Sequence, residues 1–507
     1  MWKISEGKTK LGNITDAPTT FFGFNNKVYM LNGHEYLSWD GTGSVQTVEG
    51  YIPLVVTAAS PKGGGTTLEN VNRLTGKKRV RFSADGESTK YVLPEGELLS
   101  IDQIYVDGAL MQSAQVTKDT TGGTVTFSSA PQTGNNNVEI YYTAPNELRS
   151  QVTKMRYWEF FNGANDTRVF LYGDGTAKAL YCGITEAGVA SAEYFPDLYE
   201  MLVGDENTPI TAMGKHYDRL LTFKPGSVYA TEYSTATLAD GVVTAGFYTI
   251  PLNREIGNEA PGQVRLVYNF PRSMYANALY DWKMTSSTVR DERNAKLVSE
   301  KVRSTLQSAD PEKVFIFDDD SKQEYYVFLN DTAGTALVHR YIEDVWYKYT
   351  NLKVVCGCRD GNDVYFGTSD GKLVLFDELV HNDLGQEINC IWESGNMDFG
   401  SDYQRKHSSV IWVSLKPAAG ARCTVSARSD RKSEYAEKTV TAPVLKFSSV
   451  DFNHFTFNTN TSPHMRRVKL KVKKFVYYKL LIDTVSIAND VTVLGVDMRV
   501  RFTGYVK

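Results

Sequence analysis

Hydrophobic and polar positions alternate along this chain in short runs, and the runs come in pairs. Residues 21–31 read Phe-Phe-Gly-Phe-Asn-Asn-Lys-Val-Tyr-Met-Leu, followed past Asn32-Gly33 by His34-Glu35-Tyr36-Leu37-Ser38-Trp39-Asp40-Gly41. The wording returns at 361–377, as Asn362-Asp363-Val364-Tyr365-Phe366-Gly367-Thr368, a Ser369-Asp370-Gly371 stop, then Lys372-Leu373-Val374-Leu375-Phe376. Weaker echoes run over 167–181 and 218–233. A period of two in β-branched and aromatic residues predicts strands. The Asn-Gly or Asp-Gly stop needs positive φ and turns the second strand back antiparallel. A lone hairpin cannot bury its apolar face, so the refrain predicts a β-propeller of four-stranded blades. An ordinary β-sandwich with similar turns is the competing fold. Equivalent places for Val28, Val169 and Val364 in successive sheets separate the two.

A chain of 507 residues exceeds one core. Residues 1–59 hold the first propeller strands. Ser60-Pro61-Lys62-Gly63-Gly64-Gly65-Thr66-Thr67 reads as a flexible hinge into an inserted β-module, residues 60–145, with strands at 80–83, 90–93, 103–106, 125–127 and 138–142. The pattern resumes with Met155-Arg156-Tyr157-Trp158-Glu159-Phe160-Phe161, and residues 146–378 supply about five further blades at roughly 45 residues each, about six in all. Residues 287–308 break the pattern and predict a short helical connector. Residues 379–507 carry longer strands, at 388–392, 409–416, 423–427, 467–473, 477–483 and 491–502, and read as a C-terminal β-sandwich. The fold class is all-β.

The formal charge of -4 argues against a surface that grips nucleic acid everywhere. No run of about eighteen apolar residues predicts a membrane-spanning segment, and Met1-Trp2-Lys3-Ile4-Ser5-Glu6-Gly7-Lys8 has no signal-like core. Five cysteines are scattered through predicted strands as reduced thiols, and Cys356-Gly357-Cys358 is too tight for a zinc knuckle. Seven isolated histidines, placed on surfaces, lack metal-pair spacing, and neither a nucleophile elbow nor a phosphate loop is present. Asp318-Asp319-Asp320 and Asp370 read as hydrated turns rather than a calcium site. No catalytic, cofactor-binding or metal residues are predicted. The sharpest charge feature is a strand on which Arg467, Lys469, Lys471 and Lys473 share one face while Val468, Leu470 and Val472 share the other, continued by Arg499 and Arg501. Such a stripe is a solvated edge strand or an electrostatic track facing phosphate or an acidic neighbouring subunit.

Asp344-Val345-Trp346-Tyr347-Lys348-Tyr349, the 363–371 segment, Trp392-Glu393-Ser394-Gly395-Asn396-Met397-Asp398-Phe399-Gly400 and the 467–480 tail together resemble propeller-type tail nozzle, tail tubular or packaged-DNA stabilisation proteins of short-tailed bacteriophages. The module, with Phe82-Ser83-Ala84-Asp85-Gly86 and Ile104-Tyr105-Val106-Asp107-Gly108, is similar to small β-modules of phage fibres and spikes. The resemblance implies a non-enzymatic virion tail protein, assembled in the host cytoplasm as a ring of six copies. It implies contacts with portal-proximal adaptor proteins, with fibres or spikes through the module, and loose passage of double-stranded DNA. Such proteins usually carry a long N-terminal stretch, whereas here the first hairpin comes almost at once. Two rival functions follow from the residues. One is a glycan-binding or glycan-cleaving propeller using Trp39, Trp158 and Tyr280-Asp281-Trp282; the other is a trimeric fibre-type attachment protein.

Overall fold

The computed structural model describes the chain except for residues 5–6, 163–166, 238–242, 284–293, 378, 381, 419–420, 446–455, 487–490 and 506–507. The fold is nearly all β, with 53% strand and 4% helix. It divides into two compact units, Met1–Val374 and Leu375–Lys507.

The first unit holds a series of up-and-down antiparallel sheets. Sheet 1 is Thr20–Phe24, Lys27–Leu31, Tyr36–Trp39 and Gln46–Thr47; sheet 2 is Tyr157–Asn162, Thr167–Tyr172, Lys178–Tyr181 and Glu200–Leu202. Sheet 3 is Ala212–His216, Arg219–Lys224, Ser227–Thr237 and Val243–Asn253; sheet 4 is Arg265–Val267, Phe270–Tyr275, Ala278–Trp282 and Ala295–Leu297. Sheet 5 is Phe315–Asp319, Glu324–Phe328, Ala336–Arg340 and Val345–Tyr349, and a three-stranded sheet 6 is Val354–Asp360, Asp363–Thr368 and Leu373–Phe376. The opening strands of consecutive sheets lie side by side from sheet 1 through sheet 6. Val28, Val169 and Val364 all fall on the second strand of their sheets, and the hairpin refrain is strands one to three of sheet 1 and strands two and three of sheets 2, 3 and 6.

Aromatic and branched residues fill the layers between sheets. Phe22, Tyr29 and Tyr36 of sheet 1 meet Val169, Leu171 and Leu180 of sheet 2. Phe161 and Phe170 meet Met213 and Leu220, Phe223 packs edge-on against Trp282 at 5.7 Å, and Met274 and Leu279 meet Ile316 and Val327. Sheets 2, 3 and 4 thus bury both faces, which a single hairpin cannot do.

Two readings of the chain are corrected here. Of the predicted connector, residues 287–293 lie outside the described residues, while Ala295–Leu297 is the fourth strand of sheet 4, paired with Tyr280–Trp282. Helix is confined to the turns Glu300–Val302 and Arg303–Leu306, whose Leu306 is buried in the layer between sheets 4 and 5. Second, the glycines at 63–65 are not a hinge. They take φ of 97°, 76° and 109° in a tight turn, with the Gly63 N–H donating to the Ser60 carbonyl at 2.8 Å. A Cβ on Gly65 would lie 2.7 Å from Val56. Glycine here supplies backbone geometry, not slack.

The module is built into the first unit by three crossings of the chain. Leu54–Ala59, read with the first propeller strands, pairs parallel with the module strand Lys77–Ala84 in a six-stranded sheet. The chain then returns to sheet 2, where fully buried Asn72 donates to the Tyr51 and Glu193 carbonyls, both at 2.8 Å. It re-enters at Gly76, beside the exit at Ala144. Buried Arg73 holds the Asp197 carbonyl, Gln151 and Glu200. Arg79 and Arg81 both reach Glu186, at 2.6 Å each. The five module strands expected from sequence are all present, as Lys77–Ala84, Lys90–Val92, Ser100–Val106, Thr124–Phe127 and Gly134–Thr143.

The second unit is a sandwich. One sheet runs Asn382–Asp383, Gln386–Glu393, Tyr478–Ser486, Arg422–Ser429, Lys438–Thr441. In the other, Gln404–Lys416 is flanked on one side by His464–Val468 and Val472–Phe475 and on the other by Thr492–Tyr505. Ile411, Val413, Leu415, Val425, Val472 and Ile482 lie in its core. Buried Lys406 is satisfied by the Ser401, Gln404 and Val476 carbonyls.

Candidate functional site

The predicted basic stripe is in the second unit and keeps its alternation. Arg467, Lys469, Lys471 and Lys473 are exposed while Val468, Leu470 and Val472 are buried. The strand itself is interrupted between Val468 and Val472, but both pieces bond to Gln404–Lys416. Register places Lys473, His407 and Arg501 in one row, and Arg467, Trp412 and Asp497 in another. Paired residues share a face, so cations from both outer strands stand on one surface. None of the four stripe residues, nor Arg499 or Arg501, has an ion-pair partner among the described residues. The unit carries 19 Lys and Arg against 14 Asp and Glu, a formal +5, so Met1–Val374 carries -9 within the chain total of -4. An overall near-neutral count conceals this segregation.

A second cluster lies between sheets 4 and 5. Arg265, Arg272, Asp281 and Lys296 are successive register partners across sheet 4. Asp318, Tyr325, His339 and Trp346 are the corresponding partners across sheet 5. Arg272 is only 2% exposed. It holds Asp281 with two bonds, at 2.5 and 3.0 Å, and its guanidinium lies 4.6 Å from the Tyr325 ring centre. Its third contact, 3.1 Å to His339 Nδ1, requires a neutral imidazole that accepts there and donates from Nε2 to Asp344 at 3.1 Å. Burial, and then the Arg272 charge, hold the His339 pKa below its ordinary value, consistent with that tautomer.

At the end of this layer nearest the opening strands the carboxylates are not paired off. Burial pushes Asp318 up to about 7 against the pull of Arg272, and its Oδ1 is buried without a hydrogen-bond partner. Burial likewise pushes Glu159, on the opening strand of sheet 2, up to about 7, opposed by the Phe160 N–H and by Arg265 and Lys215. Arg265 itself donates to the Gly262 and Val264 carbonyls at 2.9 and 2.8 Å. The Tyr325 hydroxyl and the Trp346 indole N–H are also buried without partners. This arrangement can hold protons near neutrality, a property of sites as well as of structural networks.

The remaining candidates disperse. His216 and His339 are buried rather than on surfaces, because each has a hydrogen-bond partner, His216 Nδ1 lying 2.7 Å from the Asn269 carbonyl. His381 and His454 lie outside the described residues. Asp319 closes its own turn through Ser321 and Arg359 pairs with Asp320, and no cluster fit to hold a metal occurs among the described residues. Trp158 is packed against Phe22 and Phe160 at 5.4 and 4.9 Å. Trp282 is fully buried with its indole N–H on Ser273 Oγ at 2.8 Å. Trp39, another of the proposed sugar platforms, lines open clefts of about 430 and 380 Å³, with the Lys3 ammonium 5.4 Å from its ring. The sheet 4–5 layer escaped sequence reading because its members come from eight separated strands; charged residues inside the strand patterns were the one available signal. No helix among the described residues is long and apolar enough to cross a membrane.

No protein-family model and no curated protein matches this chain. Among solved structures, the S. cerevisiae core factor aligns at 9% identity over 64% of this chain and 57% of that one, with a TM-score of 0.26. The exo-β-1,3-galactanase of Phanerochaete chrysosporium aligns at 10% identity over 98% and 97%, with a TM-score of 0.19. A Bacillus subtilis glycoside hydrolase family 43 arabinoxylan arabinofuranohydrolase aligns at 9% identity over 96% and 95%, with a TM-score of 0.18. Likeness at these scores carries no argument.

Proposed function

We propose that this chain is a non-enzymatic structural subunit of a bacteriophage tail conduit, which retains the genome and then lets it pass. In this reading the six successive sheets are propeller blades around an axis. The module faces fibres or spikes, and copies form a ring below portal-proximal proteins of the virion tail, assembled in the host cytoplasm. The observation that carries the reading is the uncompensated basic face of Arg467, Lys469, Lys471 and Lys473 on a stiff sheet. It offers phosphate a few point charges without a groove to grip the duplex, so contact is weak, sequence-blind and salt-dependent. Electron microscopy of the purified chain and of particles carrying it tests this directly. A ring with an open lumen at the tail is expected; a dispersed monomer absent from the virion would end the proposal.

The second reading, a glycan-cleaving propeller, has one specific observation on its side. Burial pushes the carboxyls of Glu159 and Asp318, on opening strands of different sheets, up to about 7 against the pull of Arg265, and a raised carboxyl is what a general acid requires. Release of reducing sugar from host-envelope polysaccharide, lost in Glu159→Gln and Asp318→Asn, would move the assignment to this reading.

A further inference from the structure

The strand Thr492–Tyr505, at 14 residues the longest described, pairs on one side only, with Gln404–Lys416. Among the described residues, nothing pairs with its other edge. Natural edges are blunted by proline, charged side chains, bulges or a covering element; this segment has no proline, its bulges lie towards its two ends, its central charges are of both signs, and large apolar side chains stay exposed along it, Leu494 by 52% and Phe502 by 51%. Beside it, Val493, Val496 and Met498 line an apolar cleft of about 600 Å³ closed on the far side by Trp392 and Phe399. The residues facing the core and those facing out are fixed by register: Met498 pairs with buried Ile411, and Asp497 with the outward Trp412.

This edge is complementary to itself. When two copies are run antiparallel about Met498, Asp497 falls opposite Arg499 twice, Val496 opposite Val500 twice, Leu494 opposite Phe502 twice, and Met498 opposite its own symmetry mate. No like charges meet, and the apolar residues from Val496 to Val500 meet one another. The match is specific to that register, because sliding by one residue turns the core-facing set outward on one strand. Shifting the centre to Arg499 sets two guanidinium groups against each other.

We propose that the open edge of Thr492–Tyr505 is a two-fold contact through which a second copy of this chain docks, strand to strand, joining two sandwiches into one continuous sheet. Main-chain hydrogen bonds supply the pairing, and the crossed Asp497–Arg499 pairs fix its register. A two-fold contact closes at two copies, so it describes the free chain in solution and is separate from any head-to-tail contact of a ring. It does not depend on the conduit reading.

Sedimentation velocity of the full chain tests it. Wild type is expected to dimerise in the micromolar range, and Asp497→Arg and Arg499→Asp each to weaken dimerisation by at least about ten-fold, since each places like charges in register. Both positions are exposed, and unchanged circular dichroism melts confirm that the variants fold. An equimolar mixture of the two single variants should dimerise, because each supplies the charge the other lost, and the double variant should recover self-association. A wild-type monomer at 100-fold higher concentration than this range would overturn the proposal. So would a dimer or larger assembly indifferent to either substitution, or a mixture that stays monomeric.

Discussion

The two units put their charges to opposite uses. In Met1–Val374 many arginines and lysines are buried or tied down: Arg272 on Asp281, Arg73 on Glu200, Arg79 and Arg81 on Glu139 and Glu186. In Leu375–Lys507 the basic face is exposed and unpaired, and the unit keeps a surplus of +5 while the other has a deficit of -9. A charge that is desolvated and matched specifies packing, and removing its partner is costly. A charge left in water adds little to folding and remains free for a partner. The same residue types therefore specify packing in one unit and stand in water in the other.

That contrast is sharpest at Asp281. Asp281→Ala strands a buried guanidinium, so a loss of about 3–5 kcal/mol is expected by denaturant unfolding; a neutral result would mean that the buried pairs of the first unit are not structural. Next comes the module clamp. Asn72→Ala leaves the Tyr51 and Glu193 carbonyls without their donor and should cost about 1–3 kcal/mol. Excision of residues 63–144 should destabilise the remaining sheets for the same reason, since it removes Asn72 and Arg73 along with the module. A melt unchanged by either would mark the module as a passenger.

Asp318 has the opposite sign. Its folded pKa is raised to about 7, so between the ordinary carboxylate range and neutrality the folded chain holds a proton that the unfolded chain releases. Its contribution is fully present in acid and is lost as pH rises through 7. Asp318→Asn, which removes the ionisation, should therefore stabilise at pH 8 by up to about 4 kcal/mol and much less at pH 4. Thermal melts at the two values check this, and a pH-independent effect would refute it. Smallest in stability is the reversal Lys469→Glu with Lys471→Glu, expected within about 0.5 kcal/mol of wild type. Its effect belongs to contact: the salt slope of duplex DNA binding should fall by about 1.8 for two lost phosphate neighbours. An unchanged slope would take the stripe out of the conduit proposal.

Local periodicity made much of this legible. The hairpin refrain marked the first three strands of sheet 1 and strands two and three of sheets 2, 3 and 6, because alternation and turn chemistry are written within a few residues. The face of Arg467, Lys469, Lys471 and Lys473 was legible for the same reason. What stayed hidden is set by distance along the chain. Arg272 and His339 are 67 residues apart, and nothing near either predicts the other. The parallel pairing of Leu54–Ala59 with Lys77–Ala84 has no turn to announce it. Gly63, Gly64 and Gly65 misled because composition alone cannot tell a glycine chosen for freedom from one chosen for positive φ. The charge segregation was invisible until a unit boundary divided the sum.

The triple crossing between module and sheets has a mechanical consequence. Tension on the module would not first draw out a slack tether. It would load the Leu54–Ala59 ladder and the Asn72 clamp together and pass at once into the body of the first unit.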